Sequence, residues 1–433
     1  MDTLARDTSS RDRPAGRVAT TTAGLRGTHW DPSRLPEGVE ITPHSLRTHD
    51  GASVVGFLMR RGGERSVVCA MHPREMTVPQ YMAPEVLRAG CAFWVQGSRS
   101  PNVDLRLEHE TALLDLAAGQ AFLRAEGFTA TVLQGTSGGG PLAAFYCQQA
   151  SLAPSDRLAR SPGGRPVDLA GADLPQPDGV VLISSHLGQG PLLQTCLDPS
   201  VTDEEDPFAT DPALDPFSPE NGFREPPASS SYGVDFIGRY RAAQAARVQR
   251  LDERARALLA RKAAARRAVK AGGAAMADRA LSAWSPIMTI WRTDADLRCW
   301  DLSLEPSPRA YGSLWGGNPV ASNWGSVGFA RLCTPESWLS NWSALSSNAT
   351  MARCAPSVRQ PVCMIRYIGD NSVFDTEADT LETLLGNADT VRHDVPGNHH
   401  GKPVARGEPG GQERAGEIVR DFLATHGFTG GTR

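Results

Sequence analysis

Residues 130–150 read ATVLQGTSGGGPLAAFYCQQA. The opening stretch, ATVLQ, is apolar and β-branched, as a buried strand requires. Four glycines then fall within residues 135–140. After Pro141, at home in a first helical turn, the segment continues without a breaker. The reading is strand, sharp turn, helix, with Gly135-Thr136-Ser137-Gly138-Gly139 at the turn. A G-x-S-x-G pattern alone is weak, because small-residue loops produce it by chance. Between a strand and a helix it acquires a mechanism: the turn lifts the Ser hydroxyl above the sheet edge. The helix N-terminus aims N–H groups at developing negative charge. The plain alternative is a Gly-rich turn around a solvated Ser. A phosphate-binding loop fits poorly, since no Gly-Lys-Ser/Thr follows.

Working outward, the same alternation appears on both sides. VEITPHSLRT and ASVVGFLMRR read as a strand pair around His49-Asp50-Gly51, and RSVVCAM as a strand buried on both faces. Residues 78–89 read as helix, CAFWVQGSR as strand, 108–126 as helix and GVVLISSH as strand. The alternation stops for about 160 residues. It resumes with PVCMIRYIG (strand), a helix near 376–386, DTVRHDVP (strand) and a closing helix in QERAGEIVRDFLATHG. Alternating strands and helices predict a doubly wound, mostly parallel sheet. The expected organisation is a tail at 1–25, a core at 26–186, an insertion at 187–344 and the rest of the core at 345–433.

The insertion has its own character. Residues 198–227 are acidic and Pro-rich. Residues 234–270 form a long helix candidate, with eleven Lys/Arg against two acids between Arg239 and Lys270. That helix is expected to show a solvated or charge-paired face. Seven of the nine tryptophans fall between 284 and 342, as insertion core or as an aromatic wall for an apolar ligand.

A serine nucleophile needs a base, and the base an orienting acid. Strand PVCMIRYIG ends at Asp370, on the side of the sheet that carries Ser137; Asp375 and Asp379 are less well placed. The loop Pro396-Gly397-Asn398-His399-His400-Gly401 follows the last strand. One of its two histidines is the expected base, with His400 favoured and His399 the alternative. An oxyanion needs preorganised donors. The Gly138 amide is one, and Arg74 is expected to give the other, because Pro73 has no N–H. His72, His186, Met288, Trp291 and Trp315 are candidate substrate contacts.

Composition narrows the classes. The net charge of −4 over 433 residues gives no reason to expect a nucleic-acid or membrane-surface partner. No run of 18 apolar residues exists, and the first 25 residues lack an apolar h-region. The eight cysteines (69, 91, 147, 196, 299, 333, 354, 363) form no Cys-x-x-Cys and no zinc spacing. That suits a reducing cytoplasm. No metal and no cofactor is expected. His109-Glu110 begins like a zinc-protease helix, but position 113 is Leu, so no helical His pair forms.

Taken together, the elbow at Ser137, Asp370 after its strand and the GNHHG loop resemble the α/β-hydrolase superfamily, over roughly residues 39–186 and 355–430. The resemblance implies an eight-stranded, mostly parallel sheet with a large, mainly helical cap insertion over the serine. His-Pro-Arg stands where His-Gly-x is commoner, which leaves the second oxyanion donor open. The strings THWDPSRLPEGVEI, MHPRE, GSRSPNVDLRLEHETALLDLAAG and DPSVTDEEDPFATDPALDPF further resemble actinobacterial hydrolases that include zearalenone lactonases. That narrower resemblance implies ester hydrolysis of a resorcylic macrolactone by a dimeric cytoplasmic enzyme. The expected activity is hydrolysis of a small apolar ester or lactone. An acyltransferase with the same triad, or a binding protein on this fold, are the other readings.

Overall fold

The computed structural model describes residues 32–75, 80–101, 103–325, 328–386 and 388–429. The expected tail at 1–25 lies outside them. All eight strands read from the sequence form and join one sheet. They are β1 (Glu40–Arg47), β2 (Ser53–Arg60), β3 (Ser66–Met71), β4 (Ala92–Gln96), β5 (Ala130–Thr136) and β6 (Gly179–Ile183), then, after a two-stranded ribbon of β7 (Met288–Thr289) and β8 (Leu332–Cys333), β9 (Val362–Tyr367) and β10 (Thr390–Val395). The order across the large sheet is β1-β2-β4-β3-β5-β6-β9-β10. Only β2 runs against its neighbours; every pairing from β4 to β10 is parallel.

Strand composition explains the layering. Every residue of β3, β4 and β6 is buried, so both sheet faces must be covered. Alternate residues feed two apolar layers. On one face Val67, Cys69 and Met71 meet α2 (His109–Ala125) and α3 (Gly139–Ser151). On the other, Val68 and Ala70 meet α1 (Ala83–Arg88) and the closing helix Gln412–Thr425. Helix α1 covers only the later part of the helix expected over 78–89, whose stretch before Gln80 lies outside the described residues. Gly56 on β2 has a packing reason: a Cβ there would run into the Trp94 indole.

Between β6 and β9 the described residues add no strand to this sheet. It holds α4 (Gln189–Cys196) and the 38-residue α5 (Val234–Ala271), which matches the long helix read over 234–270. Part of the Arg-rich face of α5 is charge-paired. Arg247 bonds Glu204 and Arg254 bonds Glu205, both in the acidic stretch. All eight cysteines are free and buried. No helix of the described residues is long and apolar enough to cross a membrane.

Candidate active site

The elbow forms where β5 meets α3. Ser137 sits in the left-handed region at φ 53°, a conformation that costs a non-glycine residue energy and recurs at functional sites. Its amide bonds the Ile183 carbonyl of β6 at 2.9 Å, and its own carbonyl accepts from Gly140 at 3.1 Å. The glycines are steric necessities. A Cβ at 135 would lie 2.5 Å from Gly139 backbone atoms, and one at 139 would lie 2.6 Å from the Met71 carbonyl oxygen. Helix α3 starts at Gly139, so the Gly138 amide belongs to the helix end whose N–H groups lack intrahelical partners.

Asp370 follows β9, and its carboxylate is held from two directions. Oδ1 accepts the Ser372 and Val373 amides at 2.7 and 3.2 Å. Oδ2 lies 2.8 Å from Nδ1 of His399. Both side chains are buried. Burial pulls the His399 pKa down, but the charge and hydrogen bond of Asp370 outweigh it, and the net shift is upward. A proton on Nδ1 facing Asp370 leaves Nε2 as the free lone pair of the neutral ring.

His400, the favoured base in the sequence reading, does not take this position. Its amide bonds Oδ1 of Asn398 at 3.0 Å, and its Nε2 is buried without a partner. Burial, then the neighbouring His399, hold its pKa down at about 4. Gly397 and Gly401, both at positive φ, shape a turn whose first imidazole, not its second, meets the carboxylate.

The amide of Arg74 is also otherwise engaged than expected. It donates to Nδ1 of His72 at 3.2 Å, beside the Glu75 amide at 3.1 Å. The Arg74 guanidinium grips Asp104 at 2.6 and 3.0 Å and lies over the rings of Phe329 and Trp342.

Of the candidate substrate contacts, two gather at the elbow. A Cβ on Gly138 would lie 2.9 Å from Nε2 of His72 and 3.4 Å from Nε2 of His186. Nδ1 of His186 accepts the Gly188 amide at 3.2 Å. Burial first, then neighbouring charges, hold both pKa values near 3, so both rings are neutral. Gln189, which sequence reading missed, brings its Nε2 to 3.0 Å from the same point. Only its place just after His186 could have signalled it. Trp315 lines a small cavity with Phe329, Leu192, Asn371 and Ser372, next to Asp370. Met288 and Trp291 do not join this group. Met288 is fully buried among Leu193, Val248 and Trp338, where its flexible thioether fills core space. Trp291 bonds the Glu204 carbonyl through its indole N–H at 3.0 Å. Trp300, Trp338 and Trp342 are likewise core. Among the described residues, no three His, Cys, Asp or Glu side chains gather in a way that could hold a metal ion.

No family model matches this chain, and no curated protein does. Solved structures similar to it include DcsB in complex with its substrate analogue, at 11% identity and TM-score 0.47, covering 89% of this chain and 99% of that one. The Pyrococcus furiosus esterase Pf2001 matches at 11% identity and TM-score 0.42, covering 94% and 98%. The esterase domain of a Rhodothermus marinus protein matches at 10% identity and TM-score 0.39, covering 89% and 98%. At these values the likeness is one of general architecture, so the chemistry must be argued from this chain's own residues.

Proposed function

We propose that this protein is a serine hydrolase of carboxylic esters or lactones, with Ser137 as nucleophile, His399 as base and Asp370 as the orienting acid. One observation carries the reading: the buried 2.8 Å bond from Asp370 to His399, at the same sheet edge as a serine held at positive φ. The three residues follow β5, β9 and β10, all parallel, so their loops leave the same end of the sheet.

In the proposed reaction Ser137 Oγ bonds the acyl carbon while its proton passes to Nε2 of His399. The carbonyl π pair moves onto oxygen, toward the Gly138 amide. When the pair returns, the ester C–O bond breaks and His399 gives its proton to the departing alcohol oxygen. Water, deprotonated by the same nitrogen, then bonds the acyl carbon; the acyl–Oγ bond breaks, Ser137 Oγ takes the proton back from His399, and the acid leaves. Residues 187–344 are proposed to act as a cap that shapes the acyl and alcohol pockets, with Trp315 and His186 facing the substrate. The resemblance of the quoted strings supports a bulky macrolactone of the zearalenone type as a substrate to try first.

The test is active-site labelling and hydrolysis on the full chain. A fluorophosphonate should modify wild type at Ser137, and Ser137→Ala should lose roughly 10³-fold or more of ester turnover while keeping its fold. A folded Ser137→Ala variant with near-normal turnover would end this reading.

A further inference from the structure

We propose that His72 supplies the second oxyanion donor, through its Nε2–H. The inference rests on the reading of Ser137 as nucleophile and deepens it. Backbone amides of the loop after β3 are the obvious source of that donor. In this chain Pro73 has none, and the amides of Arg74 and Glu75 both point at Nδ1 of His72. A ring nitrogen that accepts N–H groups carries a lone pair and no proton, so the proton of the neutral ring sits on Nε2. The loop's two donors are thus presented one ring further out, at Nε2.

The position of Nε2 fits the role. It lies 2.9 Å from the point where a Cβ on residue 138 would be. A Cβ is about 2.5 Å from its own amide nitrogen. The two nitrogens are therefore at most roughly 5.4 Å apart, and one oxygen can lie about 2.9 Å from both. Any side chain at position 138 would crowd that space, which gives Gly138 a chemical reason beyond the turn. Burial, reinforced by Arg74 and His399, keeps the His72 pKa near 3. The ring stays a neutral donor and does not compete with His399 for the serine proton.

Two other groups face the same point, and each fits less well. His186 has the same tautomer, set by a single amide, but its Nε2 is 3.4 Å from the Cβ position. Gln189 comes to 3.0 Å, yet its Oε1 is buried without a partner, so nothing holds its amide nitrogen toward Gly138. His72 combines the shortest approach with two amides fixing its ring. In the addition step the oxygen that receives the carbonyl π pair accepts from Gly138 N–H and His72 Nε2–H together. No proton is transferred to or from His72.

The test compares wild type, His72→Phe and His72→Gln on p-nitrophenyl acetate, with phenylboronic acid as a tetrahedral-adduct probe. Loss of one oxyanion donor should lower kcat about 10²- to 10³-fold with little change in KM. Boronate affinity should fall in parallel, and Gln, which keeps an N–H donor near the Nε2 position, should recover part of both. A His72→Phe variant with unchanged kcat, or with only a raised KM, overturns the donor assignment. So does a Gln variant no better than Phe. Should the variants fail to fold, nitrogen-15 histidine labelling of wild type decides. An Nε2–H signal for His72 that moves downfield on adding phenylboronic acid supports the proposal. An Nδ1–H tautomer, or no response, overturns it. If wild type hydrolyses the ester and labels at Ser137 while His72→Phe is unaffected, the donor inference alone fails. If wild type does not label with a fluorophosphonate, the Ser137 reading fails and takes this one with it.

Discussion

The sheet and the segment from 187 to 344 each have a buried interior, but of different chemistry. In the sheet the buried groups are hydrocarbon: β3 contributes Val67, Val68, Cys69, Ala70 and Met71, and two apolar layers of helix lie over it. Each of the Val and Met side chains contributes roughly 1.5–3 kcal/mol with no demand for a particular partner. In the segment, apolar clusters around Trp338 and Trp300 are joined at the same depth by guanidinium groups. Arg292 bonds Asp198 at 2.8 Å, and their side chains are 2% and 0% exposed. Arg247 bonds Glu204 at 2.7 and 2.8 Å and the carbonyls of Asp198 and Trp291 at 2.7 and 2.9 Å. Arg298 holds Asp296 and Glu305, and reaches Glu377 beyond the segment at 3.1 Å. Hydrocarbon burial tolerates change, whereas a buried ion pair fails when either partner is lost. The first suits a platform that holds loops at one edge. The second suits a segment with one way to pack, as its proposed role as a cap would require.

Substitutions can break or sharpen that contrast. Asp370→Asn should cost on the order of 10⁴-fold in kcat, because the amide favours the wrong His399 tautomer. Circular dichroism should stay native, since the platform is untouched. Its residual activity should also show a lower acidic limb. Under the proposed mechanism wild-type activity needs neutral His399 and should rise with pH through its raised pKa, which should fall once the Asp370 charge is gone. His399→Ala should lose about 10³-fold or more, while His400→Ala should lose less than about tenfold; the reverse result in a pH-controlled ester assay would move the base to His400. Asp198→Asn leaves Arg292 buried and unpaired, and should cost about 3–5 kcal/mol in urea unfolding followed by tryptophan fluorescence. A cost comparable to a surface substitution would remove the contrast drawn here.

The smallest effect belongs to the seam between the two regions. Glu110 on α2 accepts from Ser340 Oγ at 2.6 Å and from Asn348 Nδ2 at 2.9 Å. Burial, opposed in part by those bonds, lifts its pKa to about 7. Between pH 4.5 and 7 the native state keeps a proton that the unfolded chain releases. The Glu110 contribution to stability should therefore be fullest below pH 4.5 and decline, by a few kcal/mol at most, as pH rises through 7. Glu110→Gln should flatten that part of the profile in chemical unfolding run at several pH values.

The same contrast governs what could be read from sequence. The eight strands were legible because hydrocarbon runs and period-two alternation are local signals. The elbow was legible because Gly135, Ser137 and Gly139 are steric requirements of one turn. Asp370 followed from its strand. The choice between His399 and His400 was not legible. It depends on how Gly397, Asn398 and Gly401 bend six residues of loop, and on Asn398 Oδ1 taking the His400 and Lys402 amides. The Arg74 amide was read as a free donor because nothing local says that His72 turns its Nδ1 back upon it. Met288 and Trp291 were read as pocket residues for their chemistry, but partners as distant in sequence as Trp338 and Glu204 decide where they lie.

The eight sealed thiols have a practical consequence. Burial pushes Cys69, Cys91, Cys147, Cys354 and Cys363 up to about 12, and raises Cys196, Cys299 and Cys333 as well. Thiolate is the reacting form, so a native molecule should ignore an alkylating reagent until it breathes. Each cysteine is then a clock that starts when its own neighbourhood opens. Three of the clocks sit between residues 187 and 344 and five sit elsewhere. In a timed pulse of iodoacetamide read by peptide mass spectrometry, a segment 187–344 that opens alone would alkylate Cys196, Cys299 and Cys333 together and first. A molecule that opens as one would start all eight clocks at once.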